Sequence, residues 1–548
     1  MGATLRALRA LVLLAGFHLL GLLLLALLGA LDWVAWRWAP AVWALKTYAV
    51  SLLLAVPVVR GMLMLRTPRD EGVGGVPVTE AEEPRLWAAV RELAALVGTR
   101  APDEIRLTAD MNAAVTEDAR LLGLLGGTRR LYLGLPLVAG LSEARLRAVL
   151  AHELGHYAHS DTRLSGITER SRLHVARTVE RFEEKAGLKV ARERARQERK
   201  SARRVAKGRT ARKVDTTGVG LTYRVMARIY TEYGRFSLRA TLSDSRRQES
   251  AADLAAARIA GRDATASALR ALPALDAAHE FYLNAYATLG VEFGMLPPRG
   301  EVFGGVRHLL EARAEELAGT HVELPAEPAT PYDSHPPTAE RVATIESLPD
   351  DGRAAEADRP AFALLASPEK ALPEVEDATL APEALRMRRL DWPDLVHEAM
   401  TARYVRDTEE LREALGEPTG AAGAAGLYGL DGLDQAERLR LEVEAFLDAV
   451  DAGTVWGLVD RLPQSEEAAA ATGRAAREFA RSSLRRELAR LLTTVLAVDG
   501  RARWQFSWSA PTSLLLPDGY AEELPAALDA AIADRPDTER LRTLLAAG

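Results

Sequence analysis

Between residues 10 and 31 the chain runs for 22 positions without a charged side chain (ALVLLAGFHLLGLLLLALLGAL). At about 1.5 Å of rise per residue, a helix of this length reaches roughly 33 Å, enough for a bilayer core. His18 is its one ionisable side chain; a neutral imidazole facing a neighbouring helix accounts for it better than a ligand or relay does. A second apolar stretch, 41–65, is interrupted by Lys46, Pro57 and Arg60. Lys46 and Arg60 sit near its ends, where long stems reach the headgroups. Trp33, Trp36, Trp38 and Trp43 cluster between the two stretches, as at a membrane–water interface. Arg6 and Arg9 precede the first stretch, and Arg60, Arg66 and Arg69 close or follow the second, whereas the connection holds only Asp32 and Arg37. The bias of basic residues puts both ends in the cytoplasm. The expectation is a transmembrane helical hairpin over 1–66, in a multi-pass protein of the cell (inner) membrane whose downstream domain is cytoplasmic. A cleaved signal peptide ending near residues 29–30 is the competing reading, but its apolar core would be unusually long.

The pattern then changes. Residues 67–78 (TPRDEGVGGVPV) are rich in Gly and Pro and read as a linker. Leu86, Val90, Leu93, Leu96 and Val97 recur at helical spacing. Short strand signals follow at 104–108 (EIRLT), 112–116 (NAAVT) and 129–135 (RRLYLGL). A second helix starts near Ser142, with Leu146, Val149 and Leu150 as its apolar stripe. Strands followed by helices predict an α+β fold, predominantly helical, with a small β-sheet and not a doubly wound one. From 185 to 213 the chain is dense in Lys and Arg, with Glu193 and Glu198 the only acids. This reads as a solvated arm, helical or disordered; its functional reading is attraction to anionic headgroups of a lipid bilayer. Beyond about residue 352 an acidic, loop-like stretch leads into amphipathic helices from about 382, with a Gly-rich break at 416–434. The expected organisation is therefore a membrane hairpin (1–66), a central domain (67–352) carrying the basic insertion, and a helical C-terminal region (353–548).

Composition narrows the chemistry. A chain of 548 residues exceeds one compact core. The formal net charge of −6 excludes a chain-wide nucleic-acid binder, so no nucleic acid is expected as a partner. With no cysteine, disulfides, thiolate metal sites and thiol nucleophiles are excluded. A metal here must be held by histidine and carboxylate.

Residues 151–161 read AHELGHYAHSD. His152 and His156 are four apart, so on a helix they leave from one face, a turn apart. Two imidazoles so placed can chelate one zinc ion, with Glu153 beside them to take a proton from a water on the metal. His159 continues the row, but three side chains along one rigid helix diverge along its axis. The third ligand is expected from elsewhere. In SDSRRQESAADLAAARIAG (243–261), Glu249 and Asp253 are also four apart, on a helix whose alanines allow close approach. Glu249 can complete the zinc site while Asp253 reaches an imidazole and fixes its tautomer.

These pieces carry a resemblance. AVLAHELGHYAHSD, SRRQESAAD and SHPPTAERVATI (334–345), with the upstream MNAAV and RRLYLGLPLVAGLSEARLRAVL, are similar to the membrane-associated gluzincin peptidases that include HtpX and the CAAX prenyl endopeptidases. The resemblance covers roughly residues 82–347, with the motifs in family order. It implies a zincin-type domain with one Zn2+ held by His152, His156 and Glu249, and Glu153 as general base. It also implies supporting roles for Asp161, His335 and Arg341, the last two near the metal cleft, steadying an oxyanion or filling the open metal position at rest. MNAAV matches the segment that borders the cleft in relatives, so Asn112, Ala113 and Ala114 are expected to pair with an extended protein or peptide substrate. The chain departs from HtpX-like members between the two halves of the site. They carry further spans there, whereas residues 166–240 here are charged throughout. An intramembrane chamber of the CAAX-protease type is therefore not expected. The function implied is membrane-anchored, zinc-dependent endoproteolysis, in quality control of membrane or membrane-proximal proteins. The competing reading is a membrane-tethered interaction protein with a latent or structural metal site, against which an intact Glu153 weighs.

Overall fold

The structure is a computed structural model that describes residues 3–63, 74–117, 127–159, 165–205, 214–319, 324, 336–352, 359–409, 434–456, 467 and 471–546. The chain is mostly helical with small sheets. It divides into two compact units, Met1–Asp276 with His321–Ala371, and Ala277–Thr320 with Leu372–Gly548.

The first unit opens with two long apolar helices, α1 (Ala3–Trp38) and α2 (Ala41–Leu63), which lie against one another. Pro40 separates them, and its carbonyl accepts the first helical bonds of α2, from Trp43 and Ala44. Among the described residues, one helix is long and apolar enough to cross a membrane, Ala15–Trp38; Ala41–Val56 is a shorter apolar stretch. The second of the two spans predicted from sequence is thus not established. Leu23 and Leu27 are each 65% exposed, and Trp36, Trp38 and Trp43 also face outward. Near the start of α1 one side chain is fully covered, and further along Ala35 is buried too. Phe17, fully buried, packs with Val58, Phe182, Ala186, Tyr223, Met226, Ala227 and Tyr230.

Val58 belongs to α2; the other partners come from α6 (Ser165–Val205) and α7 (Leu221–Ala260), which pack along each other. The basic stretch is helical as far as Val205. Gly220, at φ 75°, starts α7 where a β-carbon would stand 3.0 Å from the Ala186 carbonyl oxygen, so both backbone and space require glycine.

The first unit also contains a four-stranded sheet. Its strands are β1 (Val76–Val78), β2 (Glu104–Thr108), β3 (Ala113–Glu117) and β4 (Arg129–Gly134), in the order β1-β2-β4-β3. β2 and β4 are parallel, with Ile105 opposite Leu131 and Leu107 opposite Leu133; the outer strands are antiparallel. Those four side chains are fully buried, as are Leu86 and Val90 of α3 (Pro84–Val97). Each burial stabilises by about 1.5–3 kcal/mol over leaving the side chain in water. Gly134 ends β4 where a β-carbon would collide with the Asp110 carbonyl. The chain then turns through a short helix, α4 (Leu135–Gly140), into α5 (Glu143–His159).

A later segment clamps the start of α5. Ala361 donates to the Leu141 carbonyl at 2.9 Å, and Glu143 donates to the Arg359 carbonyl at 2.7 Å. The buried carboxylate of Glu83 accepts from the backbone N–H groups of Ala366 and Ser367. Lys370 meets Glu82 at 2.5 Å.

The second unit has its own core, built on Gln435–Asp451, Gly473–Val498, Tyr520–Ala531 and Glu539–Ala546. The aromatic stretch at 504–508 is packing material. Phe506 stacks on Trp392 at 5.8 Å and Trp508 meets Trp392 at 4.9 Å. His397 accepts a hydrogen bond from the Trp504 backbone at 3.3 Å. The Gly-rich break expected at 416–434 lies outside the described residues, save Asp434, which caps the Gln435–Asp451 helix.

Candidate metal centre

α5 and α7 meet through small residues. A β-carbon on Gly155 would stand 3.4 Å from Ala252 Cα and 3.5 Å from Ala255 Cβ. Glycine on one side and alanines on the other let the two helices approach closely enough for short side chains to converge across them. α5 is also tied to the sheet, where the Arg129 guanidinium lies 4.9 Å from the centre of the Tyr157 ring.

α5 contributes His152, Glu153 and His156, and α7 contributes Glu249 and Asp253. His152 Nε2 and His156 Nε2 are 3.1 Å apart. Glu249 Oε2 is 3.5 Å from His152 Nε2, and its Oε1 is 3.6 Å from His156 Nε2. The three residues each offer a ligand atom within 4.8 Å of the others, a set able to hold a metal ion. With zinc–nitrogen bonds of about 2.0–2.1 Å, two imidazole nitrogens on a tetrahedral ion stand about 3.3–3.4 Å apart. The observed spacing is close to that edge. Two imidazoles and one carboxylate, with no thiolate, suit zinc and leave one coordination position for water or substrate.

Behind the ligands is a second layer. His152 Nδ1 is 2.9 Å from Asp253 Oδ1. Asp253, only 3% exposed, in turn receives a two-pronged bond from Arg341, Nε to Oδ2 at 2.8 Å and Nη2 to Oδ1 at 2.7 Å. Arg341 sits on the helix Thr338–Glu346, whose Val342 and Ile345 pack with Ala257, Ala266 and Leu269. The Nε and Nη2 groups of Arg341 are thus engaged by Asp253, which places Arg341 behind the His152 imidazole.

The electrostatics follow from this layout. Burial works against the charged form of Asp253, but Arg341 and His152 overcome it and hold the carboxyl at about 2. Burial likewise opposes charging of His152, yet Asp253, Glu249 and Glu153 raise its pKa to about 9. Withdrawal from water pushes Glu153 up to about 7; the Glu249 carboxylate adds to this, while His152 and Arg341 oppose it. A carboxyl poised near neutrality is suited to exchanging protons.

β3 is the terminal strand of its sheet and packs beside α5. Ala113 and Ala114 pair with Leu133 and Tyr132, and the Asn112 carbonyl accepts from Gly134 at 2.8 Å. The other edge of β3 meets no strand among the described residues. Asp161 and His335 lie outside the described residues. Sequence reasoning did not find the Arg341–Asp253 fork, which joins residues 88 positions apart, or the role of Gly155. A glycine facing an alanine-rich helix was the available signal for Gly155.

Residues 80–348 match the model of Peptidase family M48, the family that includes HtpX and CAAX protease-like zinc metallopeptidases. The matched segment contains His152, Glu153, His156, Glu249, Asp253 and Arg341. Searches among curated proteins and among solved structures returned no match.

Proposed function

We propose, on the match of residues 80–348 to the model of Peptidase family M48, that the chain is a membrane-anchored zinc endopeptidase, with His152, His156 and Glu249 as zinc ligands and Glu153 as general base. The observation that carries this is the meeting of two imidazole nitrogens and a carboxylate across α5 and α7, next to a carboxyl poised at about 7. Zinc bound there supplies a Lewis acid for the scissile carbonyl and its attacking water. Glu153 accepts the proton of that water as its oxygen adds to the carbonyl carbon. The same carboxyl then delivers the proton to the amine as the C–N bond breaks. Asp253 accepts the Nδ1 proton of His152, which leaves Nε2 free to ligate, and Arg341 keeps Asp253 in place. An extended substrate adds to the free edge of β3 along Asn112, Ala113 and Ala114, where the main-chain groups of Ala113, turned away from β4, hydrogen-bond it and present the scissile bond to Glu153.

Anchoring rests on α1, whose outward face is apolar beyond its covered base. By the distribution of basic residues the peptidase domain faces the cytoplasm, where membrane or membrane-proximal proteins in need of quality control are its substrates. Residues 67–352 form the peptidase domain in this reading, and 353–548 an accessory region. The test measures zinc per chain and cleavage of an unfolded protein, with and without chelator. One zinc per chain with chelator-sensitive cleavage is expected. Zinc without turnover on any unfolded substrate would favour the tethered interaction protein instead.

A further inference from the structure

α6 joins two unlike surfaces. At Phe182 and Ala186 it is packed into the cluster that covers the base of α1. Immediately beyond, between 187 and 204, it carries eight Lys and Arg against Glu193 and Glu198. Lys189, Arg192, Arg194, Arg196, Arg199, Lys200 and Arg204 are exposed. Glu193 is engaged locally by Arg196 at 3.3 Å and by Gln197, so it offsets only one of these charges. Exposed apolar side chains lie at the same level: Leu188 on α6, and Leu221 and Val225 on α7, which starts against Ala186.

A fully aqueous helix gains nothing from leucine and valine facing out beside a one-sign charge run. A helix lying at a bilayer surface uses both, the apolar groups below the headgroups and the cations among them. The placement is set by the fold, because the same helix is packed on the base of the apolar helix that is long enough to cross a membrane. We propose that residues 188–204 of α6 dock on the anionic headgroups of the bilayer that holds α1. Docking would hold the α6–α7 pair, and with it the Glu249 end of α7, at a fixed attitude to the membrane. The inference rests on the reading of α1 as a membrane anchor.

The test is hydrogen exchange on the full chain in lipid nanodiscs, either wholly zwitterionic or containing anionic phosphatidylglycerol. Each cation close to an anionic surface favours the docked state by roughly fivefold. Amides of 188–204 should therefore exchange several-fold more slowly in the anionic discs, and the difference should fade in high salt. The quadruple variant Arg192→Gln, Arg194→Gln, Arg199→Gln and Lys200→Gln should lose the difference, with its fold checked by circular dichroism. Equal exchange in both discs, with the protein incorporated in each, would overturn headgroup docking and leave the anchor intact. Slowing by a short RNA but not by anionic lipid would overturn it as well. Failure to incorporate in either disc would sink the anchor reading, and this inference with it.

Discussion

Asp253→Asn is the most informative change behind the metal ligands. The side chain is nearly as large as the original, but its charge is gone. In the native site Asp253 is 3% exposed, 2.9 Å from His152 Nδ1, and bonded twice by Arg341 at 2.7 and 2.8 Å. Loss of such an outer partner lowers metal affinity by about 10–100-fold. A second effect has the opposite sign. Asp253 helps to raise the His152 pKa to about 9, so at neutral pH a metal must displace a proton to bind, at a cost of roughly tenfold per pH unit below that pKa. The variant relieves this competition, and near pH 7 the two effects partly cancel. As the pH rises through 9 the proton is progressively lost in both proteins, and the lost support increasingly dominates. Zinc affinity, measured by competition with a chromophoric chelator at pH 9.5, should therefore fall by about 10–100-fold, with a smaller gap at pH 7. Removing one partner of a buried ion pair costs about 3–5 kcal/mol; the asparagine keeps some hydrogen bonding, so the loss of unfolding stability should lie at or below the lower end. A folded Asp253→Asn protein that binds zinc like its parent at pH 9.5 would refute the reasoning.

Three further outcomes follow from the same geometry. Gly155→Val forces α5 away from Ala252 and Ala255; overpacking of about 1–3 kcal/mol should appear in thermal unfolding, together with weaker zinc binding. Glu83→Ala removes the buried acceptor of the Ala366 and Ser367 N–H groups, and denaturant titration should show a loss of about 1–3 kcal/mol. Glu82 has its pKa lowered to about 2, first by its hydrogen bond from Lys370 and then by those from Thr79. A lowered carboxylate pKa stabilises the fold above the unfolded value of 4.5 and loses that contribution as pH falls toward 2. Glu82→Gln should thus flatten the acid limb of the stability profile between those values while changing its slope little near neutrality.

The parts of the fold that repeat with a period could be read from the chain. The strand signal at 104–108 coincides with β2, that at 129–135 with β4 to within a residue, and that at 112–116 with β3 shifted by one. The helical spacing of Leu86, Val90 and Leu93 marks α3, because those side chains form its buried stripe. Other features carried no such signal. The clamp on α5 at 359–361 is made by backbone groups, which every residue possesses, with one exposed ion pair from Arg359 to Glu143, so little in Arg359, Pro360 or Ala361 announces it. The cover over Phe17 was hidden because its residues are spread through two highly charged helices: Phe182 and Ala186, then Tyr223, Met226 and Tyr230. In the site, His152, Glu153 and His156 are adjacent in sequence and governed by one helical turn, so their shared face was legible. The Arg341–Asp253 fork depends on how the helix Thr338–Glu346 settles on the end of α7, a packing decision made by Val342 and Ile345 and not by the charged pair.

The central claim is that Glu153 moves the proton while the residues around it hold the metal. Glu153→Gln preserves the size of the side chain and all three proposed ligands. Zinc content by mass spectrometry of the folded protein and cleavage of an unfolded substrate, measured on the same preparation, test it most directly. The account predicts about one zinc per chain and a loss of cleavage of at least about 100-fold. Cleavage at the parental rate by the zinc-loaded variant would contradict it.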